Sequence, residues 1–115
     1  MQTIVIGDLH GRKTGLRIAR KHPNDKLEFL GDYFDSKTGV SVREQLDIFD
    51  YLTALKLQNP ERVILLTGNH DLHYIKGATQ TYTGYQWLHA AEISSKITHA
   101  YRHGLLQAAY QQGSY

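Results

Sequence analysis

The feature that most constrains this chain is one pattern that occurs three times. A short apolar run rich in β-branched and aliphatic residues ends at a glycine, and a carboxylate or amide side chain follows the glycine directly. The apolar runs are residues 3–6, 27–30 and 62–67, and the pairs that follow them are Gly7-Asp8, Gly31-Asp32 and Gly68-Asn69. Runs of this length and composition predict buried parallel strands, each ended by a glycine that lets the chain turn sharply.

The segments between these runs are typical of helices. Residues 16–19 have a loosely helical spacing that ends at His22-Pro23, which predicts a short first helix. Ser41 and Glu44 form a capping box at the start of a longer helix, which Asn59-Pro60 ends. One face of that helix carries Val42, Leu46, Phe49, Leu52 and Leu55. The order strand, helix, strand, helix, strand predicts an α/β fold with right-handed βαβ units and parallel strands.

The pattern is weaker after Asp71. Residues 77–84 are rich in threonine and glycine, which predicts a loop, one that could overhang a site. Residues 87–110 have spacings that suit two short helices around Gly104. Because no repeat, low-complexity tract or linker interrupts the chain, we expect residues 1–115 to form a single domain.

Composition excludes several classes of protein. The 115 residues include no cysteine, so any metal must bind nitrogen and oxygen ligands. The net charge is only +2 and the basic residues are scattered, which argues against a nucleic-acid partner on charge alone. The apolar run at the start lacks a basic flank and is too short for a signal peptide or a membrane span. We therefore expect a cytoplasmic protein without a membrane partner.

The polar residues after the three strands suit a metal centre. Ligands of α/β sheets bind at the carboxyl ends of the strands, where these residues would lie. Aspartate, histidine and asparagine offer hard or borderline oxygen and nitrogen donors. Two divalent ions held close together can lower the pKa of a shared water and clamp an in-line displacement at phosphorus. The predicted metal ligands are Asp8, His10, Asp32 and Asn69.

The motifs Asp8-Leu9-His10, Gly31-Asp32-Tyr33-Phe34-Asp35 and Gly68-Asn69-His70-Asp71 resemble, in that order, the signatures of the calcineurin-like metallophosphoesterases. Through the glycine after His10, the sequence resembles the branch of the family that holds Ser/Thr protein phosphatases and diadenosine tetraphosphate hydrolases. The resemblance covers roughly residues 3–75. It implies the N-terminal half of a metallophosphoesterase-type α/β/β/α sandwich.

The resemblance also implies a role for each matched residue. Asp8 and His10 would bind the first metal, Asp32 would bridge the two metals, and Asn69 would bind the second metal through its amide oxygen. His70 would contact the substrate phosphate and protonate the leaving oxygen, and Asp35 would orient His70. A metal-bridging hydroxide would attack the phosphate ester of a phosphoprotein or a nucleotide. The implied cofactors are two divalent ions, manganese, iron or zinc, with manganese favoured.

The sequence departs from the family pattern in two places. Ser36-Lys37 follows Asp35 where the protein phosphatase branch has Arg-Gly, and Lys37 could bind phosphate only as a point charge. The later Gly-His motifs that complete the second metal site do not occur, so we expect the chain to be a partial domain. A non-catalytic metal- or phosphate-binding module that retains half of the site is the alternative function. The oligomeric state stays open, including an oligomer that supplies ligands across an interface.

Several residues have alternative interpretations. Asp35 could instead pair with a basic side chain such as Lys37, and Lys37 could simply be exposed. Four further histidines are expected at the surface or at an interface, and four tyrosines could line a substrate cleft or pack beneath a loop. The histidines are His73, His89, His99 and His103, and the tyrosines are Tyr33, Tyr74, Tyr82 and Tyr85.

Overall fold

A computed structural model describes residues 2–7, 9–36, 39–75 and 85–108 of the chain, and of Asn69 it describes the backbone alone. Three sequence-predicted features therefore lie outside the described residues: the side chains of Asp8 and Lys37, and the loop at 77–84 with Tyr82. The side chain of Asn69 is likewise outside the description.

The described residues form a three-stranded parallel sheet. Its strands are β1 (Thr3–Ile6), β2 (Lys26–Phe29) and β3 (Val63–Leu65), in the spatial order β1-β2-β3. This confirms the predicted parallel α/β arrangement, with β2 displaced by one residue and β3 shorter than expected. The prediction that all three strands are buried is wrong for β1, because β1 is an edge strand on which Thr3 and Val5 are exposed.

Two helices connect the strands as predicted. Helix α1 is Thr14–Lys21 and helix α2 is Val42–Gln58. The side chain of Ser41 accepts a hydrogen bond from the backbone N–H of Glu44 at 3.2 Å, which is the N-terminal half of the predicted capping box. Asn59 caps the C-terminal end of α2 with its backbone N–H.

The segment after β3 differs from its prediction. Helix α3 is a single turn (Asn69–Leu72), a 3₁₀ turn covers Trp87–His89, and helix α4 is Ala90–Arg102. The predicted second helix is wrong over residues 104–108. Gly104 has a φ of +70°, which ends the helical path, and Gln107 then donates its N–H to Leu65 O at 2.9 Å. The chain therefore runs parallel to β3 at this point.

One apolar core unites the sheet with α2 and α4. Leu27 and Phe29 lie two residues apart on β2 and share a face of the sheet, and both are fully buried. Phe49 of α2 and Ile93 of α4 are buried in the same cluster. Within the described residues, none of the helices has the length and apolar character needed to span a bilayer. The core thus fixes the sheet, whose carboxyl edge carries the polar motifs.

A close backbone approach holds two of those motifs together. Gly31, just after β2, has a φ of +105°, and a Cβ at this position would collide with the backbone of Thr67 and Gly68 after β3. Glycine is therefore required here both for its conformation and for the missing side chain. The loops after β2 and β3 can touch only because this residue is a glycine.

We predict that Gly31→Ala strongly destabilises the fold. Gly104→Ala is the matched control, because Gly104 also has a positive φ (+70°) but a Cβ there would meet no atom within 4 Å. The control should cost about 1–2 kcal/mol from the left-handed conformation alone. Gly31→Ala should cost clearly more in the free energy of unfolding, measured by chemical denaturation. Equal costs for the two variants would contradict the close approach.

Candidate active site

The loops that follow the three strands meet at the carboxyl edge of the sheet. The backbone N–H of His10 donates to Asp32 O at 2.7 Å, which joins the first loop to the second. His10, Asp32 and Asp35 all have left-handed φ values, of 46°, 56° and 67°. Non-glycine residues rarely adopt this conformation, and such strain concentrates at functional sites.

A buried carboxylate, Asp71, ties the second loop to the third. Its Oδ2 accepts the backbone N–H of Asp32 at 2.7 Å and that of Gly68 at 2.9 Å, and its Oδ1 accepts that of Tyr33 at 2.9 Å. Burial raises the pKa of Asp71 to about 7, although the three donors act in the opposite direction. In return, Asp32 Oδ1 accepts the backbone N–H of His70 at 3.0 Å. These reciprocal bonds fix Asp32 and His70 relative to each other.

His10 and Asp32 have the geometry of neighbouring metal ligands. His10 Nδ1 lies 3.1 Å from the backbone carbonyl of Phe34, so Nδ1 carries the proton and Nε2 offers its lone pair. Ligating histidines commonly bind a backbone carbonyl in this way through their second nitrogen. His10 Nε2 lies 4.0 Å from Asp32 Oδ2, which is too far for a hydrogen bond. One metal ion could still bind both atoms, because two metal–ligand bonds of about 2.1 Å can span this distance. Both side chains therefore fit a divalent ion.

The other two predicted ligands are Asp8 and Asn69. Asp8 lies outside the described residues, as does the side chain of Asn69. The backbone of Asn69 begins α3, immediately before His70 and close to Asp32. The complete ligand set therefore stays a prediction.

The predicted acid and its predicted orienting carboxylate are in direct contact. His70 Nδ1 lies 2.8 Å from Asp35 Oδ2, although the two residues are 35 positions apart in the sequence. The Asp35 side chain is fully buried and that of His70 is 14% exposed, so the ring is the member of the pair that reaches solvent. The rings of His10 and His70 meet edge to face with centroids 4.9 Å apart. His10, Asp32, Asp35 and His70 thus form one site.

Asp35 lies at the centre of a buried polar network. Its Oδ1 accepts the hydroxyl of Tyr74 and, at 3.3 Å, the amide Nε2 of Gln86. Its backbone N–H donates to Gln45 Oε1 at 3.1 Å. Burial raises the pKa of Tyr74, which keeps its hydroxyl protonated as a donor. The alternative pairing of Asp35 with Lys37 involves a residue outside the described part of the chain.

His73 is where the sequence interpretation fails. We expected His73 at the surface or at an interface, but its side chain is fully buried and its Nε2 lies 2.7 Å from Asp35 Oδ2. His73 lies three residues after His70, immediately beyond α3, and this helical spacing brings the two rings to a centroid distance of 5.3 Å. That spacing was the signal in the sequence. Three more histidines, His89, His99 and His103, are exposed as predicted.

The described tyrosines lie in two different surroundings. Tyr33 is buried, donates to Leu66 O at 2.6 Å and packs on Phe49, so it belongs to the core. Tyr74 and Tyr85 stack with ring centroids 4.6 Å apart. Both line a cleft of about 940 Å³ between the segment after α3 and the outer face of α4.

Other contributors were not recognised from the sequence. Asp71 was part of the third motif but received no role, and Gln45 and Gln86 were not singled out. Gln45 lies in α2, and no local pattern distinguishes it from any other polar helix residue. Only the tertiary fold brings it to the backbone of Asp35.

Comparison with known proteins identifies the family of this chain. The family described as calcineurin-like phosphoesterase matches residues 1–109. A candidate serine/threonine-protein phosphatase of Schizosaccharomyces pombe is 40% identical over 85 residues, which are 70% of this chain and 25% of that protein. A protein phosphatase 2A catalytic subunit from Dictyostelium discoideum is 38% identical over 85 residues, with the same shares. The chain thus spans about a quarter of the length of these relatives, and with a family match over almost all of its residues it belongs to the calcineurin-like phosphoesterases.

Proposed function

We propose that this chain carries the histidine–carboxylate part of a metal-dependent phosphoesterase site that hydrolyses a phosphate monoester. The named relatives are Ser/Thr protein phosphatases, and we extend that substrate class, a phosphorylated protein side chain, to this chain. The observation that carries the proposal is the pair of neighbouring imidazoles, His10 and His70, each anchored through Nδ1. Because Nδ1 of each ring is engaged, Nε2 is the nitrogen that would bind a metal in His10 and transfer a proton in His70.

His10, Asp32, Asp8 and Asn69 would hold two divalent metal ions, with manganese favoured. His10 and Asp32 support this through their placement, and Asp8 and Asn69 through their positions in the motifs. The ions, when bound, would act as Lewis acids on the phosphate and on water.

His70 would act as the general acid. As the bond between phosphorus and the leaving oxygen breaks, the proton on Nε2 passes to that oxygen and the imidazolium becomes neutral. Before this step, Asp35 at 2.8 Å stabilises the positive charge on the ring and holds the proton of Nδ1 in place. The low exposure of both side chains strengthens this ion pair relative to one in water.

We predict that Asp32→Asn weakens Mn²⁺ binding by at least about tenfold, because an amide is a much weaker ligand than a carboxylate and cannot bridge two ions with its charge. Isothermal titration of Mn²⁺ into the metal-free chain measures the affinity and the number of ions bound. Asp47→Asn is the control, since this carboxylate is 65% exposed on α2, where it pairs with Arg43.

Equal binding by wild type and Asp32→Asn would contradict the proposed ligand set. Two ions bound per chain would support the binuclear site. One ion bound, with no hydrolysis of any phosphate ester, would instead identify the chain as the non-catalytic module. The small share of the relatives that the chain spans makes this comparison necessary.

We predict that His70→Asn lowers kcat by about 10²–10⁴-fold for phenyl phosphate, the range expected for loss of a general acid. The loss should be much smaller for p-nitrophenyl phosphate, because its leaving oxygen departs without needing a proton. Steady-state kinetics in Mn²⁺ measure both. His89→Asn, an exposed histidine in the 3₁₀ turn, is the control and should leave both rates unchanged. The same loss on both substrates would exclude His70 as the acid.

A further inference from the structure

His73 shares with His70 a single oxygen of Asp35. His73 Nε2 lies 2.7 Å from Asp35 Oδ2, and His70 Nδ1 lies 2.8 Å from the same atom. The two rings meet edge to face with centroids 5.3 Å apart. A buried carboxylate therefore connects the proposed acid to a second histidine that has no access to solvent.

The distance determines which nitrogen of His73 carries a proton. An unprotonated ring nitrogen at 2.7 Å from a carboxylate oxygen would place two acceptors against each other, so Nε2 must hold a hydrogen. Burial lowers the pKa of His73, against the opposing pull of Asp35, so the ring is neutral at neutral pH. His73 is consequently a neutral ring whose Nε2 lies against Asp35 Oδ2, without the alignment of a regular hydrogen bond.

We propose that His73 is a positioning residue that holds the Asp35 carboxylate in the orientation that His70 needs. This rests on the proposed function, in which His70 is the acid. Oδ1 of Asp35 accepts hydrogen bonds from Tyr74 and Gln86, and Oδ2 contacts both His70 Nδ1 and His73 Nε2. Without His73, the carboxylate can rotate about its Cβ–Cγ bond and move Oδ2 away from His70 Nδ1.

The neutrality of His73 matters as much as its position. A lysine or arginine at this place would neutralise the charge of Asp35 and weaken its attraction for the His70 imidazolium. A neutral ring in contact with the oxygen restricts its movement and leaves that charge available. A neutral histidine therefore suits a residue that orients the Asp35 carboxylate without reducing its attraction for His70.

His73→Leu and His73→Gln form the test pair. Leucine fills a similar volume without a donor, whereas the glutamine amide can place an N–H near the position of Nε2. In the metal-free chain, ¹⁵N NMR of the imidazole rings reports which nitrogen of neutral His70 carries the proton, with the His70 signals assigned by their loss in His70→Asn. We expect wild type and His73→Gln to keep the proton on Nδ1 and His73→Leu to show a mixture of both tautomers.

Kinetics supply the second readout. We expect His73→Leu to lower kcat for phenyl phosphate by about 10-fold or more at unchanged KM, the size of effect seen when an orienting partner is lost, and His73→Gln to restore most of it. Thermal unfolding of both variants checks that they are folded. A wild-type tautomer in folded His73→Leu, or equal loss in both variants, would overturn the proposal. If no phosphate ester is hydrolysed by the wild type, the proposed function fails, and the NMR comparison still decides the role of His73.

Discussion

The site depends on one buried carboxylate, Asp71, which accepts three backbone N–H groups from the loops after β2 and β3. Those groups would otherwise be buried without partners, at a cost of about 1–3 kcal/mol each. Asp32 in turn accepts the N–H of His70, so each of the two loops donates backbone hydrogen bonds to a side chain of the other. The contact is possible only where Gly31 lets the backbones touch. The relative position of a proposed metal ligand and the proposed acid is thus set by backbone bonds, not by flexible side chains.

Backbone hydrogen bonds also explain how three strained residues persist. His10, Asp32 and Asp35 have left-handed backbones, which cost an L-residue roughly 1–2 kcal/mol each. Each is held by a hydrogen bond from its own backbone N–H: His10 to Asp32 O, Asp32 to Asp71, and Asp35 to Gln45. These side chains lie in the loops that follow β1 and β2. Strain at these positions is therefore the consequence of gathering side chains from two loops at one edge.

Local sequence was sufficient for the three strands, for α1 and α2, and for His10 and Asp32 as candidate ligands, whereas Asp35 and His70 were assigned from the family resemblance. The strand-glycine-aspartate pattern, the capping box at Ser41 and the three motifs depend on neighbours within a few positions, which is why they could be predicted. The burial of His73 and the extended path at Gln107 could not be predicted with the same certainty, because each depends on a partner more than 35 positions away: Asp35 for His73 and β3 for Gln107. Residues 104–108 have helical propensity, but Gln107 pairs with β3 instead, because tertiary contacts override local preference.

Around Asp35, neutral neighbours orient the carboxylate, and the charge of the carboxylate acts on His70. Asp35 accepts hydrogen bonds from His70, Tyr74 and Gln86, and the ring of His73 contacts the same carboxylate. Burial keeps the tyrosine hydroxyl protonated and the His73 ring neutral, and the glutamine amide carries no charge. Of the two histidines, His70 is the one whose ring is partly exposed, and it is the ring that would transfer the proton in the proposed reaction. Three neutral neighbours thus restrict the carboxylate, and its charge acts on the ring of His70 at 2.8 Å.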